Sequence, residues 1–335
     1  MSFVPSLVLA LVAHQGQAAV SLGRVYTPNE QLTYSVRSGI TAERRARGLE
    51  TWIPEDFDIN YDFTVHVEAL KADGIAVVRY KRPYMEEITG ETFTSPPQTK
   101  RDKVNYDFRL TVSPFNEIVD MKDLAPKKKP GATKGESLFI GATTARQGLG
   151  AFLGQFIGEL HRLALFTGNM ESALDLAPRT SFDDVKVGDT WKRTVGYQPQ
   201  KLKGKDGKNA VQRLDYTYTY KGLVNGEKGK VLRVEAKLNF ATDLAEFIHQ
   251  LSESTPAETG LQKLPLNLDA TILFDLDPKT KHTLKAEATS VGSFQIMTPD
   301  NPDAAYEERM KGHTTLRLVS RTIVAPAKKT AEKKK

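Results

Sequence analysis

The chain has no cysteine. Disulfides, thiolate metal sites, a cysteine nucleophile and a lipid-modified N-terminal cysteine are all excluded, so stability must come from packing. Tryptophan occurs twice and histidine six times in 335 residues. No His-Glu-x-x-His, Gly-x-Ser-x-Gly or Ser-x-x-Lys spacing occurs, so the common hydrolase signatures are missing and no catalytic residue is assigned. Glu246 and His249 stand one helical turn apart, and Glu159 and His161 form a looser pair. A di-metal carboxylate bundle needs such a motif twice with two further glutamates, so no metal ligand and no cofactor is assigned. Residues 300–303 lack the alternation and terminal glutamate of a calcium loop, and residues 222–230 fail the spacing of a phosphate loop.

Charge of one sign is also scarce in the body of the chain. The formal net charge is +6, but Lys328, Lys329, Lys333, Lys334 and Lys335 against Glu332 place four of those charges in the last ten residues. A nearly balanced body with a basic tail at 326–335 is not the footprint of a nucleic-acid module, which lays its cations along one folded face. Such a tail suits a solvated segment that meets anionic, phosphate-rich envelope surfaces.

The apolar run at residues 3–13, followed by Gly16-Gln17-Ala18, reads as a signal peptide with cleavage before Ala19. It is too short to cross a bilayer as an ordinary helix, so the mature chain is expected to be exported, to the periplasm, envelope or exterior, without a transmembrane segment.

Most of what remains alternates with period two. Residues 32–36, Tyr61, Phe63, Val65 and Val67, then Tyr106, Phe108, Leu110 and Val112 set apolar against polar side chains, which is strand patterning. Asp73-Gly74 supplies hairpin chemistry before residues 75–80, whereas 81–103 reads as an irregular connection. A similar programme recurs: a strand from Val187 to Val195, alternation in Leu214, Tyr216, Tyr218 and Tyr220, an Asn225-Gly226 turn, residues 230–240, then Ile272, Phe274 and Leu276. The order implies two duplicated antiparallel meanders, spanning 24–124 and 185–290. Residues 243–251 read as a short amphipathic helix, 252–265 as a loop and 313–324 as a last strand.

One long helix is written into residues 144–166. Leu149, Phe152, Leu153, Phe156, Ile157, Leu160, Leu163 and Ala164 fall within roughly 140° of arc, a core-facing stripe. Thr144 and Gln147 have capping-box spacing, and Gly168 is a natural stop. Gly150, Gly154 and Gly158 line one edge of that stripe, and each costs about 1 kcal/mol relative to alanine. Close approach of backbone or of a bound chain is expected there.

The fold class is therefore mainly β (α+β): two antiparallel meanders forming a curved sheet or half-barrels, with the amphipathic helix packed across. The divisions are a signal peptide at 1–18, a first half at 19–142, the linking helix at 143–178, a second half at 179–325 and the tail. Val185-Lys186-Val187-Gly188-Asp189-Thr190-Trp191, preceded by a helix and Pro178, resembles the strand-opening motif of a family of uncharacterised secreted bacterial β proteins. The architecture is also similar to the lipoprotein-carrier half-barrels of bacterial envelopes. The first resemblance brings no activity with it; the second is one of shape, and folds do not fix functions.

The function expected from these features is non-enzymatic binding of a lipid or other apolar ligand between sheet and helix. The candidate residues are Gly150, Phe152, Gly154, Phe156 and Gly158 on the helix, with Tyr216, Tyr218 and Tyr220 on the sheet, since tyrosine joins a large apolar surface to a polar tip. The competing readings are a structural or interaction module of the envelope with a solid core, and a hydrolase without a recognisable signature.

Overall fold

The computed structural model describes residues 18–90, 98–102, 106–125, 145–168, 170–197, 211–252 and 254–324. The apolar run at the N-terminus, Thr144 and the basic tail lie outside them. Thirteen antiparallel strands form one curved, unclosed sheet. Its centre is long: β1 (Glu30–Ala46), β2 (Ile53–Leu70), β12 (Thr283–Thr298) and β13 (Asn301–Ile323). Burial alternates along each, so that Leu32, Tyr34, Val36 and Ile40 of β1 face the core while Arg37 and Thr41 face water. Register brings like to like on the covered face, with Leu32 opposite Val65, Tyr34 opposite Phe63 and Val36 opposite Tyr61. The Tyr34 and Phe63 rings stack at 5.0 Å. The solvent face carries cross-strand pairs such as Arg79–Asp107 at 2.8 Å and Arg233–Asp275 at 2.7 Å, each contributing at most about 1 kcal/mol.

From the centre the chain runs outward through β2, β3 (Ala76–Arg82), β6 (Tyr106–Val112) and β7 (Ile118–Asp123) to one edge. It resumes at the opposite edge with β8 (Thr190–Tyr197) and returns inward through β9 (Gln212–Gly226), β10 (Gly229–Asp243), β11 (Pro265–Leu276) and β12 until β13 pairs with β1. The segment between the two edges therefore has a whole sheet face to traverse. Eleven strands at about 4.8 Å spacing span roughly 50 Å, and a 20-residue helix supplies about 30 Å of that path. The helix α1 (Ala145–Ala164) and residues 165–185 make this crossing.

Each half follows consecutive pairing, β1-β2-β3-β6-β7 and β8-β9-β10-β11-β12. That order is what any up-and-down meander shows, so the equality by itself carries no ancestry.

Several local expectations are revised. The connection at 81–103 contains β4 (Met85–Thr89) and β5 (Gln98–Asp102), a two-stranded flap paired to β2 through Phe57–Thr89 and its neighbours. The Asn225-Gly226 hairpin turns two residues later, at Glu227 and Lys228, with Gly226 paired to Gly229, which takes the left-handed backbone at φ 123°. Residues 252–265 include a short helix, α3 (Pro256–Thr259), with a Thr255–Glu258 capping box and Gly260 as its left-handed stop; α2 (Ala245–Ser252) precedes it. The final strand begins at Asn301, twelve residues earlier than its apolar alternation indicates, because charged and small residues there are carried by β12 and β1 on either side.

Candidate functional site

The helix docks by its C-terminal half. Phe156, Leu160, Leu163 and Ala164 are buried, and Phe156 meets Phe247 of α2 with ring centroids 6.3 Å apart. The helix ends at Ala164, and Phe166, at φ 53°, takes the left-handed position expected of Gly168. The Thr167 amide then reaches back to the Arg162 carbonyl at 3.0 Å. Polar clamps fix this end to the sheet. Ser290 and Thr314 donate to the carbonyls of Ala164 and Leu165 at 2.7 and 2.6 Å, and Tyr197 donates to the Glu159 carbonyl at 3.1 Å. Arg162 is held between Glu159 and Glu87, and the His161 ring pairs with Glu308. Glu159 and His161, the looser pair noted in the sequence, are thus both consumed in docking the helix. His249, on α2, contacts the Thr259 hydroxyl at 3.0 Å. Among the described residues no group of three histidine, aspartate or glutamate side chains could hold a metal ion.

Past the helix, a 3-10 turn at Leu174–Leu176 presents Asp175 to the sheet. Tyr61 and Tyr80 donate to its two oxygens at 2.8 and 2.5 Å. Arg82, fully buried, stacks its guanidinium over Tyr61 and Tyr106 at 4.5 and 4.3 Å and donates to the Thr167 carbonyl at 3.4 Å. Burial pushes the Asp175 carboxyl up from the ordinary carboxylate value, while Arg82 and the two phenols oppose the shift. With Asp175, Tyr61, Tyr80 and Arg82 all buried, this knot fastens the crossing segment to β2 and β3.

Beside the knot lies a small, partly open cavity with about 20 Å³ of enclosed room. Its walls come from β8, β9 and β11 on the sheet side, with Val195, Tyr216, Tyr218, Ile272 and Phe274, and from residues 171–179 of the crossing segment. Most of the lining is apolar. Glu171, Ser172 and Arg179 are the polar members besides the tyrosines; Arg179 is 8% exposed, and its Nη1 has no hydrogen-bond partner among the described residues. Burial draws the Arg179 guanidinium down from its ordinary value, against the pull of Tyr218, Glu171, Glu117 and Tyr26. Its backbone is fixed, because the Trp191 indole donates to the Arg179 carbonyl at 2.9 Å while stacking on Tyr218 at 5.5 Å. The Val-Gly-Asp-x-Trp stretch thus has a local role. Gly188 turns the chain at φ 93°, Asp189 accepts from the Lys186 amide at 2.8 Å, and Trp191 anchors the cavity wall.

Of the sequence candidates, Tyr216 and Tyr218 border this cavity, whereas Tyr220 is buried in the core. Phe156 is core as well. Gly154 is exposed, and no described atom lies within 4 Å of a Cβ added there or at Gly158. The expected close approach of backbone to these glycines is therefore corrected: the tight contact is supplied by Gly312 of β13. A Cβ on that residue would stand 2.5 Å from Ser290 Oγ and 3.1 Å from the Ala164 carbonyl oxygen. The surroundings of Gly150 and Phe152 lie outside the described residues. Sequence reasoning missed Arg179, Leu174 and Leu176, whose segment has no periodicity and acquires meaning only through Trp191, twelve residues on.

No protein-family model matches the chain, and no curated protein does. Three solved structures are similar in part. Lipovitellin, in a structure concerned with its lipid-protein interactions, gives a TM-score of 0.40 at 9% identity, covering 90% of this chain and 26% of that one. The chain thus spans about a quarter of the length of lipovitellin. DynF from the dynemicin biosynthesis pathway of Micromonospora chersina gives 0.22 at 10% identity, covering 93% and 88%. A DUF1329 family protein from Desulfovibrio piger gives 0.13 at 9% identity, covering 85% of each. With TM-scores this low, none of the three carries a functional conclusion.

Proposed function

We propose that the protein is a non-enzymatic binder of a small apolar or amphipathic molecule, held between the sheet and the segment that follows the helix. The observation that carries this reading is the mostly apolar cavity bounded by Tyr216, Tyr218, Ile272 and Phe274, with the buried polar side chains of Ser172 and Arg179 at its wall. An apolar pocket with few convergent polar groups is the usual form of a small-molecule site. Its enclosed room is small, which disfavours a diacyl lipid. The ligand space is thus moved from the glycine edge of the helix to residues 171–179.

Calorimetric titration with octanol and octanoate tests the reading. The wild type is expected to bind at least one of them, and Ala173→Leu, which places extra side-chain volume on the cavity wall, to lose that binding while remaining folded. Absence of binding to both in the wild type would favour the second reading, an envelope interaction module with a solid core. The extensive burial of Tyr220, Phe156 and their neighbours supports that alternative.

The protein is further proposed to be exported with loss of its first 18 residues. Beside the apolar run at 3–13, this is supported by the chain being bonded into the fold from Val20, which pairs with Val185 at 2.9 and 3.0 Å. N-terminal sequencing of protein recovered from its host checks it; an intact Met1 in a soluble cytoplasmic fraction would contradict it. Among the described residues no helix is long and apolar enough to cross a membrane.

A further inference from the structure

A large apolar side chain exposed singly is ordinary; several gathered at one place mark a surface that something covers. The turns at 70–76, 113–117, 226–229 and 277–282 and the paired strand ends Glu30 and Ile323 all fall at one end of the sheet. Val25, Leu70, Phe182, Val187, Ile323 and Val324 are exposed at that end, against Leu49 and Val211 at the other. Backbone bonds and ring contacts tie most of these positions together. The Asn29 amide donates to the Val67 carbonyl at 3.0 Å, and the Asn29 carbonyl accepts from the Val324 amide at 2.8 Å, which sets the end of β13 beside the last turn of β2. Four residues before Asn29, the Val25 amide donates to the Thr280 carbonyl at 2.9 Å, and the Arg24 amide to the Pro114 carbonyl at 2.7 Å. Phe115, next in the chain, meets Phe182 edge-on with ring centroids 4.8 Å apart.

The chain leaves this end of the sheet at Val324, and the residues that follow in sequence carry Lys328, Lys329, Lys333, Lys334 and Lys335 against Glu332. Lys71, Lys186 and Lys279 are exposed in the same turns, where Asp73, Asp183 and Asp184 offset them. The rim therefore supplies apolar area, and the excess positive charge comes from the segment after Val324. Independently of what the cavity holds, we infer that this end of the sheet docks on an anionic lipid surface, with Val25, Phe182 and Ile323 entering the headgroup layer and the lysines of 328–335 held against lipid phosphates. Apolar insertion and a polybasic segment are the two signals that together give stable peripheral attachment, and each lysine near an anionic surface is worth about a fivefold gain in affinity. A plane reaches apolar side chains spread along a rim, which a groove sized for one peptide does not.

Vesicle co-sedimentation of the chain beginning at Ala19, which is bonded into the fold from Val20, tests this without the apolar run at 3–13. Vesicles of phosphatidylcholine are compared with vesicles of phosphatidylcholine and phosphatidylglycerol in equal parts. Wild type is expected to bind the mixed vesicles about 100-fold more tightly, with the advantage shrinking as salt is raised. Deletion of residues 326–335 should remove that advantage. Val25→Ser, Phe182→Ser and Ile323→Ser combined should weaken binding to the mixed vesicles about 10-fold or more, whereas Val291→Ser, at an exposed position in the middle of β12, should leave it unchanged. Thermal melts establish that the variants are folded. If the triple variant does not fold, Ile323→Ser alone, expected to weaken binding about threefold, takes its place. Equal binding to both kinds of vesicle, or to neither, would overturn the inference, as would full affinity after loss of 326–335. Full affinity of the serine variant would show that the lysines attach alone, which overturns the docking of this end. None of these results bears on binding in the cavity, which is read separately.

Discussion

At the residue scale the fold is held by a few buried polar contacts that no motif announces. Tyr80 and Tyr61 each satisfy one oxygen of the buried Asp175 carboxylate. Tyr80→Phe should lower unfolding free energy by about 1.5–3 kcal/mol in urea titrations, since hydrogen bonds to charged groups lie in that range. A change within error would mean that Asp175 is held without it. His282 gives a pH signature. Burial, aided by the charge of Arg24, pushes its imidazole down from 6.5 to about 4. Because the unfolded chain takes up the proton that the folded one refuses, its contribution is fully present above about pH 6.5 and is lost as pH falls toward 4, on the order of 3 kcal/mol in all. Subtracting the stability profile of His282→Gln from that of wild type should isolate this slope; parallel profiles would contradict it. In the sequence, Tyr61 and Tyr80 were visible only as members of strands. Asp175 and Arg179 were not visible at all, because their partners are about a hundred residues away or on another element.

At the scale of elements, period-two alternation located β1, β2, β9 and β11, since one face of each is largely buried and the other wetter. The 3.6-residue stripe located α1 and α2 for the same reason. Where alternation fails, as in the flap of β4 and β5, pairing is set by the neighbouring strand and leaves little trace in the flap's own residues. The capping box Thr255-x-x-Glu258 was legible in principle, but four residues are too few for a periodic signal. Helix glycines misled because composition does not say which partner approaches. Gly154→Ala should therefore raise stability by up to about 1 kcal/mol, through better helix propensity in open space. Gly312→Val should lower it by about 1–3 kcal/mol, since its side chain meets the Ala164 carbonyl and Leu165. Thermal melts of both variants read the contrast, and equal effects of the same sign would contradict the docking described.

At the scale of the molecule, the strand order explains why a helix covers the sheet at all. A chain that finishes one meander at β7 and starts the next at β8 has its edges on opposite sides, and the connection must lie over a face. The open edges are blunted by charge, with Asp120, Lys122 and Asp123 on β7 and Lys192 and Arg193 on β8, as exposed strands require. Curvature of the sheet and the crossing segment together leave the small cavity near Arg179, a feature of tertiary geometry that alternation cannot encode. Its occupancy is the central claim. Native mass spectrometry of protein purified gently from its own host measures it directly, with Ala173→Leu prepared in parallel. Wild type is expected to carry one small molecule that the variant lacks; bare protein in both preparations, or the same adduct on both, would contradict the account.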